Sequence, residues 1–135
     1  MSILAIEIQK ERWPDYFAEL SKVYYGWGVT VEALDRELGD QPITDGLPLQ
    51  GISFETKGSA AGDLLIEMGD AGTPYEVHRV DQPRAVSAAD TQPGIETDVQ
   101  IDSKDGTSTL VHLRRRPALP AAEPQRASRA NRAGN

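Results

Sequence analysis

The segment from Ile95 to Arg115 constrains the fold of this chain most strongly, because its pattern predicts two antiparallel strands joined by a short turn. In the first strand, Thr97, Val99 and Ile101 alternate with charged and amide side chains, which is the two-residue period of a strand packed on one face only. The second strand continues that period. The segment therefore predicts an antiparallel sheet with one dry face and one wet face.

Two turns fit the sequence between these strands. Either Asp105 and Gly106 form a two-residue loop, or the loop begins one residue earlier, at Lys104, with Gly106 in the left-handed region. The three-residue loop places Val99 opposite Val111 on the dry face, whereas the two-residue loop would shift the partner of Val99 by one residue. We predict the three-residue loop, because it also pairs opposite charges on the wet face. Those pairs are Asp98 with His112 and Glu96 with Arg114.

The length and composition fit a single domain. A chain of 135 residues with 39% hydrophobic residues can bury most of its unfolded surface in one core, which we assign to residues 1–116. The chain has no cysteine, which excludes disulfides, thiolate metal sites and a cysteine nucleophile. The apolar start, residues 3–6, is too short for a signal-peptide core or a membrane span, so we expect a cytoplasmic protein that does not bind membranes.

Charge is distributed unevenly along the chain. The net charge is −7, but residues 117–135 carry three arginines against one glutamate, so that segment is +2 and residues 1–116 are −9. Phosphate backbones repel an acidic surface, and we expect no nucleic-acid binding through the folded body. Residues 117–135 contain no aromatic or β-branched residue, which predicts a disordered basic tail.

One amphipathic helix is predicted near the N-terminus. Trp13, Phe17 and Leu20 recur at helical spacing and indicate a buried stripe. We expect a short edge strand before this helix, within residues 3–8, and another strand directly after it, over residues 27–34.

The middle of the chain predicts a long loop followed by short strands. Residues 35–49 contain two glycines and two prolines, which indicates a long ordered loop or paired turns. Strands bounded by turn residues follow at 51–56, 63–68, 74–80 and, more weakly, 85–89. In this antiparallel meander, Leu64, Ile66 and Met68 are expected to face the core.

Several motifs between residues 7 and 115 occur in this order along the chain. They are Arg12-Trp13-Pro14 with Tyr16-Phe17, GWGVTVEAL (26–34), GLPLQGIS (46–53), Ile66 with Gly69-Asp70, and DGTSTLVHL (105–113). In this combination the chain resembles an uncharacterised domain-of-unknown-function family of small prokaryotic proteins. The resemblance implies a single recurring domain, and it implies no activity, cofactor or catalytic residue. The basic tail departs from the family pattern as an appendage.

The two histidines are the first candidates for chemistry. His78 and His112 lie on different predicted strands, which an antiparallel meander can bring together. Together with Asp98 they could form a metal or general-base site. A cross-strand ion pair between Asp98 and His112 explains the same residues without any chemistry. We therefore assign no catalytic, cofactor-binding or metal-binding residue.

Three other features have plainer explanations than the sites they suggest. The glycine-flanked segment 58–62 could cradle a phosphate, but no helix follows it, so we expect a hairpin connection. The carboxylates of the 35–49 segment match no EF-hand loop and indicate a solvated loop. Six of the eight aromatic residues lie between Trp13 and Trp27, where they predict core packing with at least one ring at the surface.

These observations predict an α+β fold. One N-terminal amphipathic helix packs on a mostly antiparallel, strongly curved sheet or partly closed barrel, with a two-sheet sandwich as the alternative. No function is specified, and we expect a small, cytoplasmic, non-enzymatic module that binds a partner protein or a second copy of itself. The alternative is a small-ligand or metal-binding domain, or a weak enzyme, that uses the concave sheet face and the 35–49 loop. An exposed apolar patch or free edge would favour the first, and a concave pocket with converging polar groups the second.

Overall fold

The computed structural model describes residues 5–115, which form one α-helix and eight strands. In chain order the elements are β1 (Ile6–Ile8), α1 (Trp13–Val23), β2 (Gly28–Asp35), β3 (Gly39–Phe54), β4 (Leu64–Met68), β5 (Glu76–Val80), β6 (Pro83–Gln92), β7 (Glu96–Ser103) and β8 (Ser108–Arg114), with short 3₁₀ turns at Lys10–Arg12 and Gly58–Ala60. The predicted tail, residues 117–135, lies outside the described residues, as do residues 3 and 4 of the expected first strand.

All eight strands belong to one antiparallel sheet with the order β1-β6-β7-β8-β2-β3-β4-β5. Strand β5 is one edge of that order and β6 lies next to the other edge, yet only two residues connect them. The sheet must therefore curl until its two ends approach each other, although it does not close. This confirms the predicted α+β fold with a curved sheet. The described strands do not form the two-sheet sandwich.

Helix α1 packs inside the curl, as its apolar spacing predicts. Trp13, Phe17 and Leu20 are buried, and the edge of the Trp13 ring meets the Phe54 ring of β3 at a centroid distance of 5.6 Å. Ser21 joins the same two elements, because its Oγ accepts a hydrogen bond from Ile52 N at 2.8 Å. Within residues 5–115, no helix has the length and apolarity needed to cross a lipid bilayer.

The β7–β8 hairpin confirms the three-residue loop. Val99 lies opposite Val111 and Asp98 opposite His112. Gly106 has φ +94°, and its N–H donates to Ser103 O at 3.0 Å, which closes the turn. Alternate residues of β7, β8 and β2 form the buried inner face of the sheet, and the residues between them form the outer face.

Replacing Gly106 by valine should lower the free energy of unfolding by about 1–2 kcal/mol, because a β-branched residue resists a positive φ. A Cβ added at this position would also lie 2.8 Å from Arg36 Cδ. Urea denaturation of the variant measures the effect. Gly72→Ala is the matched control, because its Cβ would meet nothing closer than 3.6 Å and its φ is not positive. Equal stability of the two variants would contradict a left-handed conformation at Gly106.

The prediction of a long loop or paired turns over residues 35–49 is wrong. Strand β3 begins at Gly39, and only a tight turn separates it from β2, where Asp35 Oδ1 accepts the N–H groups of Glu37 and Leu38 at 2.7 and 2.9 Å. Two register shifts interrupt the β2–β3 ladder, between Val29 and Thr30 and between Val31 and Glu32. The glycines and prolines that indicated a loop are accommodated in this irregular part of the ladder, where bulges tolerate them.

The weakly predicted strand at residues 85–89 is also longer than expected, because β6 runs from Pro83 to Gln92. Other local predictions are confirmed. Leu64, Ile66 and Met68 face the core, and the strand after the helix begins at Gly28, within one residue of its predicted start.

A buried carboxylate fixes the short β5–β6 connection that the curl requires. Asp63 is 2% exposed, and its Oδ1 accepts the N–H of Gln82 at 2.9 Å while its Oδ2 accepts Arg79 Nε at 2.7 Å. Gln82 has φ +46°, the only positive φ of a non-glycine residue among the described residues. The Gln82 N–H holds the pKa of Asp63 below its usual value, burial opposes that shift, and Arg79 adds to it.

Candidate functional site

A cleft of about 760 Å³ lies between helix α1 and the edge of the sheet formed by β1, β6 and the start of β7. We call it the helix–sheet cleft. Its volume falls within the range of small-molecule and side-chain binding pockets. It is larger than a second cavity, of about 160 Å³, that His78 and Ser103 help to line.

The cleft exists because a helix with large side chains faces a strand with small ones. Tyr16, Leu20 and Val23 follow each other at steps of four and three residues, so they share one face of α1. Across from them, Ala88 of β6 faces the inner side of the sheet and carries only a methyl group, which cannot fill the space between the helix and the sheet. A gap remains that is apolar on both walls.

The floor and one side of the cleft carry polar groups. Thr97 is buried, and its Oγ1 donates to Asp90 Oδ1 at 2.6 Å. Burial raises the pKa of Tyr16 to about 12, with smaller contributions from Tyr24 and from the negative charge of Asp90. The Tyr16 phenol is therefore protonated at neutral pH and can donate a hydrogen bond.

The charged residues that line the cleft are all negative. Its thirteen lining residues include two carboxylates, Glu19 and Asp90, and no lysine, arginine or histidine. Both carboxylates are exposed to solvent, so their attraction for a cation is modest and is screened by salt. The cleft therefore suits a group that is apolar over most of its surface and positively charged at one end.

The mouth of the cleft leaves apolar surface in contact with solvent. Ile6 of β1 is 68% exposed and Val23 at the end of α1 is 55% exposed. Strand β1 pairs with β6 on one side, and no described strand pairs with its other side. An exposed apolar rim beside a free strand edge is typical of a surface that binds a partner.

The two histidines do not meet in one site. His78 of β5 lies opposite Ile66 on the inner face, where it helps to line a small cavity of about 160 Å³ beside the β7–β8 turn. His112 of β8 lies on the outer face, with Nδ1 2.9 Å from Asp98 Oδ1 and Nε2 3.9 Å from Glu32 Oε1. Burial lowers the pKa of His78, which favours its neutral form, and Asp81 opposes the shift.

The other candidates from the sequence are structural. Segment 58–62 forms a 3₁₀ turn that connects β3 and β4, as expected. Asp35 caps the β2–β3 turn, and the Leu38 and Glu37 N–H groups lower its pKa, in that order of effect. Asp45 accepts a hydrogen bond from Thr30 on the outer face at 3.0 Å. Within residues 5–115, no group of three or more His, Asp or Glu residues is arranged to hold a metal ion.

The sequence predicted the helix and a weak strand over residues 85–89, but it did not predict the helix–sheet cleft. It treated the aromatic residues as core, which is correct for Trp13 and Phe17, and Tyr25 is the ring left at the surface. Tyr16, Asp90 and Thr97 are far apart in sequence, and no motif links them. The one available signal was the run of small residues in β6, which the sequence indicated only as a weak strand.

Comparisons with known proteins place the chain among proteins without an assigned function. A family model described as "Family of unknown function (DUF5335)" matches residues 4–122. A protein of Aquifex aeolicus (strain VF5), described as uncharacterized, is 31% identical over 116 residues, which is 86% of this chain and 96% of that protein. No solved structure matches the chain. The family match extends past residue 115, where the resemblance in the sequence motifs ends.

Proposed function

The chain belongs to this family of unknown function, and we propose that its domain is a non-enzymatic binding module whose ligand site is the helix–sheet cleft. The ligand is an apolar segment of a protein partner that carries a positive charge. As the sequence suggested, the proposal places this module in the cytoplasm. The observation that carries it is an open apolar cleft with two carboxylates and no cationic lining residue.

Binding suits the polar groups of the cleft better than catalysis does. Asp90 accepts the Thr97 hydroxyl, and the Tyr16 phenol holds its proton at neutral pH, so the phenol is not a general base. Both can instead recognise a ligand, Tyr16 as a hydrogen-bond donor and Asp90 as a negative charge.

The alternative of a ligand or metal site on the concave face with the 35–49 loop loses its basis. That segment is the turn and strand β3, and the two histidines lie on opposite faces of the sheet. The geometry of the helix–sheet cleft is therefore the stronger support for a binding site.

The proposal predicts that hexyltrimethylammonium binds in the cleft and that hexanesulfonate, with the same chain and the opposite charge, binds more weakly. The measurement is a titration of the ¹⁵N-labelled protein followed by amide chemical shifts. Shifts are expected at β1, at the end of α1 and in β6. Added salt should weaken the preference for the cation, because exposed charges are screened.

Filling the cleft should weaken this binding. Ala88 faces the inner side of β6 and lines the cleft, so Ala88→Leu is expected to weaken hexyltrimethylammonium binding by about tenfold or more, a change of ~1.4 kcal/mol. Ala85→Leu is the control on the same strand, because Ala85 lies opposite Asp102 on the outer face. Unchanged binding by Ala88→Leu, or shifts confined to β5, would contradict the assignment of the cleft.

A further inference from the structure

The described chain ends beside the helix–sheet cleft. The N–H of Arg115, the last described residue, donates to Ile95 O at 2.8 Å, and the N–H of Ile95 donates to Gln92 O at 2.8 Å. Pro93, inside this β6–β7 turn, lines the cleft. Any segment that follows Arg115 therefore starts next to one end of the cleft.

The twenty residues that follow have the composition that the cleft suits. Residues 117–122 read PALPAA, in which Leu119 is the one large apolar side chain, and three arginines follow at 126, 129 and 132. The family match includes residues up to 122 and stops before those arginines. The apolar part thus lies within the family-matched region, whereas the three arginines lie outside it.

We propose that residues 117–122 bind in the helix–sheet cleft of their own chain, with Leu119 between α1 and β6, and that the arginines beyond them lie near Asp90 and Glu19. This inference rests on the proposed function, because it assigns an occupant to the same cleft. Four residues of extended chain, from Arg115 to Leu119, span at most about 14 Å, so the segment reaches the near end of the cleft first.

Physical chemistry favours this occupant in four ways. A segment that cannot form a core by itself can still bind to a surface that is already formed. Pro117 and Pro120 restrict the backbone, which lowers the entropy lost on binding. The covalent link gives the segment a high effective concentration at the cleft. The arginines supply the charge that the lining residues lack.

Occupation by the tail would regulate the module. A partner must displace residues 117–122 before it binds. Its apparent Kd is therefore the intrinsic Kd divided by the fraction of molecules in which the cleft is free. Weakening the tail contact should therefore strengthen binding of any external ligand at the same cleft.

The test uses the full chain with a nitroxide label at Ala121→Cys, which is the sole cysteine because the natural sequence has none. Paramagnetic broadening is expected for amides of β1, the end of α1 and β6, and not for amides of the β7–β8 turn, which the whole length of β7 separates from Ile95. In the same labelled chain, Leu119→Asp should remove the selective broadening. Uniform broadening, no broadening, or broadening that survives Leu119→Asp would overturn the proposal.

Two further samples separate this proposal from others. In a mixture of ¹⁵N-labelled chains without nitroxide and unlabelled chains with nitroxide, broadening of the cleft would identify a second copy as the occupant and overturn binding within the chain. Titration of the Leu119→Asp variant with hexyltrimethylammonium should show about two- to tenfold tighter binding than the natural chain. Equal affinity would overturn the tail proposal while leaving the cleft intact, whereas no binding of the probe to either protein would contradict the proposed function itself.

Discussion

Trp13→Ala is expected to lower the free energy of unfolding by about 3–5 kcal/mol, the largest effect of any substitution considered for this domain. The indole is 1% exposed and meets Phe54 edge to face, and its Nε1–H donates to Ile8 O at 2.9 Å. Alanine would leave a cavity and an unpaired carbonyl where α1 joins β1 and β3. Chemical denaturation followed by circular dichroism measures the loss.

The matched control is Tyr25→Ala, because Tyr25 is another large aromatic residue near α1 but is 63% exposed. Its substitution should change the free energy of unfolding by no more than about 0.5 kcal/mol. A Trp13→Ala variant as stable as Tyr25→Ala would show that α1 is not anchored as described, and one wall of the helix–sheet cleft would lose its support.

Asp63→Asn should lower the free energy of unfolding by about 2–3 kcal/mol, the cost of weakening charge-assisted hydrogen bonds at a buried group. Asp63 receives the Gln82 N–H and the Arg79 guanidinium, and the asparagine amide would turn a donor toward one of them. Gln82 would then lose the contact that holds its positive φ. Because β5 and β6 are joined only here, the curl of the sheet depends on this residue.

The effect of Asp63→Asn should depend on pH. Folding lowers the pKa of Asp63, so the carboxylate stabilises the native state fully above the pKa of an unfolded aspartate, about 3.9, and this stabilisation is lost as the pH falls through the lower native value. The stabilities of the natural protein and the variant should therefore converge below about pH 4. Denaturation curves at several pH values measure this.

Asp81→Asn is the control for that experiment. Asp81 Oδ1 lies 3.1 Å from Arg79 Nε, but the carboxylate is exposed, and exposed ion pairs contribute little. The variant should stay close to the natural protein in stability at every pH. A loss for Asp81→Asn equal to that for Asp63→Asn would assign the effect to general charge balance, not to the buried carboxylate.

Local sequence patterns predicted the elements whose partners are close in the chain. The β7–β8 hairpin follows from alternation and turn chemistry within about twenty residues, and its register is confirmed at Val99 and Val111. Helix α1 follows in the same way from the spacing of Trp13, Phe17 and Leu20. In both cases the residues that decide the structure are neighbours along the chain.

The first half of β3 was missed because it pairs irregularly with β2, whereas the strand predicted at 51–56 corresponds to its second half. Glycine and proline usually end strands, and residues 39–48 contain both, so local chemistry indicated a loop. Pairing with β2 overrides that preference, and bulges accommodate the residues that a regular ladder would exclude. Residues 39–48 form a strand because β2 pairs with them, and the sequence of the segment alone does not show that pairing.

The helix–sheet cleft could not be predicted for a related reason. Tyr16 and Ala88 are separated by more than seventy residues, and they face each other only because the sheet curls and α1 lies inside the curl. In the sequence, Val23 resembles any other apolar helix residue. The helix–sheet cleft depends on how α1 and β6 are placed relative to each other, which the sequence of neither element shows.

The most direct measurement of the central claim, that the cleft binds a cationic apolar group, is the set of intermolecular nuclear Overhauser effects between hexyltrimethylammonium and the ¹³C-labelled protein. Contacts are expected from the hexyl chain to the side chains of Ile8, Leu20 and Val23, and from the ammonium methyls to protons of Glu19 and Asp90. Contacts instead to Tyr75 and Val77, which are exposed apolar residues at the β5 edge, would contradict it.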